Sequence, residues 1–200
     1  MGGSGLMAFE LILASGSPRR KMLLEQAGYT FQVEVSDVPE PEPEPGVPAE
    51  EYVTTLAWRK ARAVALRRGR GWILGADTTC TVDGVCLNKP VDRADAERMI
   101  RLQEGREVPV MTGICLYHAE THQWLGAVER SWCRFRTLSD SERTAYLDSL
   151  AWRGKAGAYG LQDNDPIVSL VSGSWSNVVG LPLERFQTLW AWANALSQRG

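Results

Sequence analysis

The sequence predicts an α/β protein with a mixed, twisted sheet flanked by helices. Three patterns carry that expectation. Short apolar strands alternate with helical stretches in the first half of the chain, a hairpin meander occupies the middle, and an amphipathic helix closes it. Hairpins require antiparallel pairing, so the sheet cannot be wholly parallel.

The elements follow in order. Leu11 to Ala14 is a short apolar strand. Ser17 and Pro18 read as an N-cap and a first-turn proline, opening a helix to about Gln26 that Gly28 stops. Phe31 to Val35 alternates apolar and polar, as a strand does. From Pro39 to Pro48 proline alternates with acidic residues, which suits an extended polyproline-like surface loop. Ala49 to Arg68 places Val53, Leu56, Ala57, Val64 and Ala65 mainly on one helical face, and Gly69 closes it. Trp72 to Leu74 is a buried strand leading into Gly75-Ala76-Asp77-Thr78.

A two-residue turn at Asp83-Gly84 would set Thr81 opposite Cys86 and Cys80 opposite Leu87. Cys80 and Cys86 then point to opposite faces and cannot bond. With Cys115 and Cys133 they read as reduced, structural thiols of a cytoplasmic protein. Asp92, with Asp95 three residues on, opens a helix carrying Met99, Ile100 and Leu102, which Gly105 ends. Val108 to Leu116 and Trp124 to Phe135 are meander strands. Ser139 with Glu142 forms a capping box for a helix to Leu150. After the glycine-rich stretch Gly154 to Gln162 come a strand (Ile167 to Val171), a turn at Ser172-Gly173-Ser174, and a helix from Pro182 that places Leu183, Phe186, Leu189, Trp190 and Ala193 on one side. Residues 1–7 read as a flexible leader, with Met7 a second candidate start, and residues 8–200 as one domain.

Composition removes several function classes. A net charge of −2 opposes broad nucleic-acid binding, no apolar run approaches the roughly 20 residues of a membrane helix, and no secretion signal is visible. The only histidines, His118 and His122, fall in a polar hairpin tip, where a solvated loop competes with a metal site. They are poorly placed for a Ser-His-Asp or Cys-His hydrolase, so catalysis must use carboxylates, lysines and a bound metal.

Three segments can carry chemistry, each with an ordinary structural alternative. At Ser15-Gly16-Ser17-Pro18-Arg19-Arg20, small residues, a helix N-terminus and two guanidinium groups suit a phosphate; a capped helix with surface arginines fits as well. Asp77, read as lying where an apolar strand ends, can bind a divalent cation or take a proton from water, or simply cap a turn. Lys89 can steady a phosphate or lie exposed. The glycines of Gly154 to Gln162 let backbone approach a flat ligand, with Gln162 on a base edge, or make a tight connection.

Six segments in order, LILASGSPRR, LAWRKA, GADT, NKP, KAGAYGLQ and SNVVGLPL, resemble the Maf family of nucleoside triphosphate pyrophosphatases. The resemblance implies an elongated, two-lobed Maf/ITPase-like fold with a central cleft. It also implies metal-dependent cleavage of a nucleoside triphosphate to monophosphate and pyrophosphate, a house-cleaning role in the nucleotide pool. Asp77 matches the catalytic aspartate, Lys60 and Lys89 match cleft lysines, and Glu40 stands where the family has an acidic metal or water ligand, with Glu42 a rival. Asp77 and Glu40 would thus hold a Mg²⁺ or Mn²⁺ ion. Ser15, Ser17, Arg19, Arg20, Thr78, Lys155 and Gln162 match substrate-binding positions. Arg19, Thr78 and Gln162 resemble the branch acting on dTTP and UTP, whereas the 7-methyl-GTP branch tends to carry a tryptophan inside SPxR and a GSDQ-like segment. Many relatives have a histidine before the V-x-T segment, where this chain reads Val108-Pro109-Val110-Met111-Thr112-Gly113, and the Thr-Gly ending, shared with other branches, leaves base preference open. A nucleotide-binding regulator of septum formation is the alternative from another class. Eight tryptophans and an exposed apolar edge are compatible with a homodimer.

Overall fold

The computed structural model describes residues 10–44, 46–161 and 167–197; the leader and Gln162 lie outside the described residues. Strand β1 (Leu11–Leu13) pairs in parallel with β2 (Gln32–Val33) on one side and with β3 (Trp72–Val82) on the other. Antiparallel pairing then adds β5 (Glu107–His118), β6 (Trp124–Phe135) and β7 (Val168–Ser172), while β4 (Val85–Leu87) folds back on β3. The sheet is therefore mixed, in the order β2-β1-β3-β5-β6-β7.

Helix α2 (Ala49–Arg68) covers one face, packing Ala57, Ala61, Val64 and Ala65 against Ile12, Ile73 and Cys115. Helices α1 (Pro18–Gln26) and α6 (Leu183–Ser197) cover the other, with Leu23, Leu24, Phe186 and Leu189 against Leu11, Leu13, Leu74 and Leu116. A third cluster fills the far end of the same strands. There Cys80, Val82, Val110, Cys133 and Phe135 meet helices α3 (Arg93–Gln103) and α4 (Asp140–Asp148). β3 and β5 thus run from one hydrophobic cluster into another. Trp72 and Trp152 are buried, whereas Trp124, Trp132, Trp175 and Trp192 are exposed.

Most sequence expectations fall within a residue or two of the observed elements. The hairpin register pairs Thr81 with Cys86 and Cys80 with Leu87, and all four thiols are free. The capping boundary of α4 forms as expected, with Ser139 and Glu142 bonding reciprocally, although the helix stops at Asp148 and Leu150 turns to positive φ. Four differences have physical causes. β2 has two residues rather than five, because β1 offers few partners and Arg67 takes the carbonyls of Val35 and Ser36 just beyond it. Ser17 begins α1, but its hydroxyl does not cap; its N–H instead donates to Ser15 Oγ at 3.2 Å. β3 does not end near Asp77: pairing with β5 from Trp72 to Cys80 carries it through the site. A short helix α5 (Trp175–Val179), capped by Ser174, occupies the SNVVG segment. Among the described residues, no helix is long and apolar enough to cross a membrane.

Candidate active site

The site grows from a gap in the sheet. One edge of β3 pairs with β5 over Trp72 to Cys80, but the other edge is shared: β1 takes Trp72 to Leu74 and β4 takes Cys80 to Val82. Between them, among the described residues, no strand lies beside Gly75 to Thr79, and Asp77 is at the centre. The Ser15-to-Arg20 corner leaves β1 at the rim of this gap. Asp77 was thus expected at a strand end and lies inside a strand, yet still beyond the carboxyl end of its parallel neighbour.

Two glycines bring a lysine to it. A β-carbon on Gly75 would lie 2.1 Å from the Ala57 carbonyl oxygen, and one on Gly113 would lie 2.6 Å from Thr54 N. Without side chains there, α2 lies flush on β3 and β5. The Lys60 ammonium, buried, then sits 2.5 Å from Asp77 Oδ1 and 2.7 Å from Glu40 Oε1. Lys89 Nζ bonds the other Glu40 oxygen at 2.9 Å. Asp77, Lys60, Glu40 and Lys89 therefore form one alternating chain of charge. Glu42, the rival acid, faces Asn88 instead, at 3.0 Å.

This chain sets the state of Glu40. Partial burial pushes its carboxyl upward, but hydrogen bonds and charge from Lys60 and then Lys89 outweigh it and hold the carboxyl at about 2, from an ordinary 4.5. A depressed carboxylate stabilises the fold fully above its unfolded value, and that contribution is lost as pH falls through the folded one. The melting-temperature difference between wild type and Glu40→Gln should accordingly be constant above about pH 4.5 and narrow steadily towards pH 2. A difference unchanged down to pH 3 would show that the lysines do not hold Glu40.

The two arginines of the corner have different duties. Arg20 is buried and donates through Nε to Gly180 O (2.8 Å), through Nη1 to Ser15 Oγ (3.1 Å) and through Nη2 to Thr78 Oγ1 (3.1 Å). Burial lowers its pKa, against the opposing charge of Asp77. Read from sequence as a phosphate ligand, it is first a tie joining the corner, β3 and the SNVVG segment. Thr78 extends that tie to Thr112 Oγ1 at 2.9 Å, and Thr112 donates to Asn177 O at 2.9 Å. Arg19 reaches across to Gly154 O at 2.8 Å, joining the corner to the glycine-rich stretch.

A cavity of about 570 Å³ opens over the gap, within the usual size of small-molecule sites. Its wall contains Ser15, Ser17, Arg19, Arg20, Glu40, Lys60, Asp77, Thr78, Lys89 and Lys155, while the rival acid Glu42 is not part of it. The wall changes character along its length. Phe135, Tyr159, Val168 and Leu161 line an apolar part, with buried Gln103 among them. Gln103 Nε2 donates to Gly157 O at 2.6 Å, and Gly157, at φ +64°, has no room for a β-carbon beside Cys80 Sγ and Gln103. Gln103 in this wall, and Asn88 with Tyr52, whose hydroxyl accepts from Asn88 Nδ2 at 3.1 Å beside the proline-glutamate loop, were not found by sequence reasoning. The signal for Asn88 is its place in the NKP segment, directly before Lys89. The two histidines lie away from this cavity, at the β5–β6 tip.

No group of three or more His, Cys, Asp or Glu side chains suited to a metal occurs among the described residues. The donor set nevertheless fits one kind of ion. Two carboxylates, Asp77 and Glu40, converge on a single cation, the Lys60 ammonium. Mg²⁺ is commonly held by one or two carboxylates together with substrate phosphates, rather than by a closed protein cage.

Comparison with known proteins matches residues 10–192 to the model of the Maf family, Maf-like protein. The dTTP/UTP pyrophosphatase of Rhodopirellula baltica is 46% identical over 181 residues, covering 90% of this chain and 80% of that protein. That of Symbiobacterium thermophilum is 45% identical, covering 88% of this chain and 90% of the relative. Among solved structures, a nucleoside-triphosphatase / dITP/XTP pyrophosphatase from Mycobacterium abscessus aligns with a TM-score of 0.45 at 20% identity, covering 94% of this chain and 96% of that one. With a family match running almost from end to end, and with relatives this similar over most of both lengths, the chain belongs to the Maf family.

Proposed function

We propose that this protein hydrolyses pyrimidine nucleoside triphosphates, dTTP and UTP, to the monophosphate and pyrophosphate. The observation that carries the reading is the buried Asp77 carboxylate, held by Lys60 in the wall of a cavity that is ionic at one part and apolar at another. The names of the similar proteins supply the nucleotide class.

In this reading, the triphosphate lies along Lys89, Lys155 and Arg19, and the base lies against the apolar part of the wall that includes Phe135 and Tyr159. Water attacks the α-phosphorus. Its oxygen forms the new P–O bond, the bond to the bridging oxygen breaks, and pyrophosphate leaves with the electron pair. Asp77 takes the water's proton, Oδ1 being engaged by Lys60 and Oδ2 left as the acceptor. The lysines offset charge developing on the phosphoryl oxygens. Asp77 and Glu40 would hold a Mg²⁺ or Mn²⁺ ion, which supplies further electrostatic stabilisation of those oxygens. Arg20 shapes the corner, while Thr78 and Gln162 take part in base selection. The two-lobed single domain, the cytoplasmic setting suggested by four free thiols, and assembly as a homodimer through exposed tryptophans belong to the same proposal.

Pyrophosphate release from dTTP, UTP, 7-methyl-GTP and the purine triphosphates, with and without Mg²⁺ or Mn²⁺, tests it. The expected result is release from dTTP and UTP that requires the cation. Preference for 7-methyl-GTP would overturn the base assignment. Tight binding with no release from any nucleotide would overturn catalysis and favour a regulator.

A further inference from the structure

The Asn88 side chain uses both ends of its amide. Nδ2 donates to Glu42 Oε2 at 3.0 Å and to the Tyr52 hydroxyl at 3.1 Å, while Oδ1 accepts from the Thr79 hydroxyl at 3.0 Å. A flipped amide would set its carbonyl against the Glu42 carboxylate, so charge fixes this orientation. The backbone carbonyl of Asn88 accepts from Gly157 N at 3.1 Å. Tyr52 in turn donates to Pro41 O at 3.0 Å. Burial, followed by the charge of Asp77, pushes its phenol up to about 12, so it remains a donor at neutral pH.

These contacts close a ring. Asp77 bonds Lys60, and Lys60 bonds Glu40. Two residues along the loop, Glu42 bonds Asn88; Asn88 bonds Thr79; and Thr79 lies two residues from Asp77, on the same face of β3. Lys89 follows Asn88 directly and bonds Glu40. The proline-rich loop cannot be located by sheet pairing, because alternate residues lack an N–H. Side-chain pins must locate it. Remove Asn88, and Glu40 and Lys89 still have each other but can shift together away from Lys60 and Asp77.

We propose that Asn88 is a positioning residue that holds Glu40 and Lys89 in register with Asp77. The inference rests on the hydrolase reading above. It acts on the reacting geometry, so its loss falls on kcat. Misplacement of about 1 Å can cost up to about 100-fold, and a partly retained loop should lose about tenfold.

The test is steady-state kinetics on dTTP for wild type, Asn88→Ala, Asn88→Asp and the double variant Asn88→Asp/Glu42→Gln, with thermal melts of each. Asn88→Ala should lower kcat about tenfold with KM changed less than about threefold. Asn88→Asp should be worse, because it faces the Glu42 carboxylate with a second one. Adding Glu42→Gln should restore kcat to at least the Asn88→Ala level, since the new amide donates to the new carboxylate. Wild-type kcat in Asn88→Ala, or equal kcat in the Asp variant and the double variant, overturns the proposal. Should Asn88→Ala lack a cooperative melt, the Asp pair decides. If wild type cleaves no nucleotide, the hydrolase reading fails separately. NMR of the wild-type side-chain amides then decides the placement: slow solvent exchange of the Asn88 pair supports it, and free exchange overturns it.

Discussion

Asp77→Asn should lower kcat for pyrophosphate release by about 10²–10⁴-fold, the range ascribed to a positioned general base, while the melting transition stays cooperative and near wild type. The asparagine amide has nearly the shape of the carboxylate but no basicity for the water's proton. Lys60 keeps a partner in Glu40, 2.7 Å away, so the substitution does not strand a buried ammonium. That retained pair separates chemistry from folding. Pyrophosphate release and circular dichroism on the same preparation read the two effects. Turnover at the wild-type rate would remove Asp77 from the proton transfer, and with it the mechanism above.

Gly75→Ala is expected to damage stability and activity together. Its β-carbon would meet the Ala57 carbonyl oxygen at 2.1 Å, with Ala61 N at 2.8 Å. Both are helix backbone, so no flexible side chain can swing aside. Relief requires α2 to lift from the sheet. Overpacking of this kind costs about 3 kcal/mol at the upper end of its usual range. In a chain of this size that lowers the melting temperature by roughly 6–12 °C. Lifting α2 also withdraws Lys60 from Asp77, so the surviving folded protein should lose kcat as well. Thermal melts and kinetics below the transition measure both. A variant with wild-type melting and turnover would show that the glycine clearance does not set the Lys60–Asp77 contact.

The parts of the fold legible in sequence were those fixed by local periodicity and turn chemistry. Asp83-Gly84 dictates a hairpin, and a period of two then assigns every facing pair of that ribbon. The apolar stripe of residues 49–68 and its closing glycine delimit α2 without help from elsewhere. What could not be read depends on distant partners. After Leu74 the residues turn small and polar, which marks an end to the strand locally; its continuation is dictated by β5, some thirty residues on. α5 spans only five residues, too few for a helical period to show. Glu40 and Glu42 are equivalent in a loop that repeats every two residues, and only the folded positions of Lys60, Lys89 and Asn88 tell them apart. Arg20 was legible as a cation beside a phosphate corner. Its ties to Thr78 and Gly180 link residues 58 and 160 positions away, beyond any spacing rule.

The long central strands decide where this molecule can yield. β3, β5 and β6 have 11, 12 and 12 residues, and β3 and β5 pass from one hydrophobic cluster into the next beneath the cavity. Flexing the floor would break consecutive rungs of the β3–β5 ladder and unpack both clusters at once. Compliance is left to the walls: the proline-glutamate loop, held by a few side chains, and the Arg19–Gly154 contact that spans from the corner to the glycine-rich stretch. On the proposed function, a nucleotide entering this cavity meets a rigid anvil carrying Asp77, and the jaws on either side adjust to its length and base.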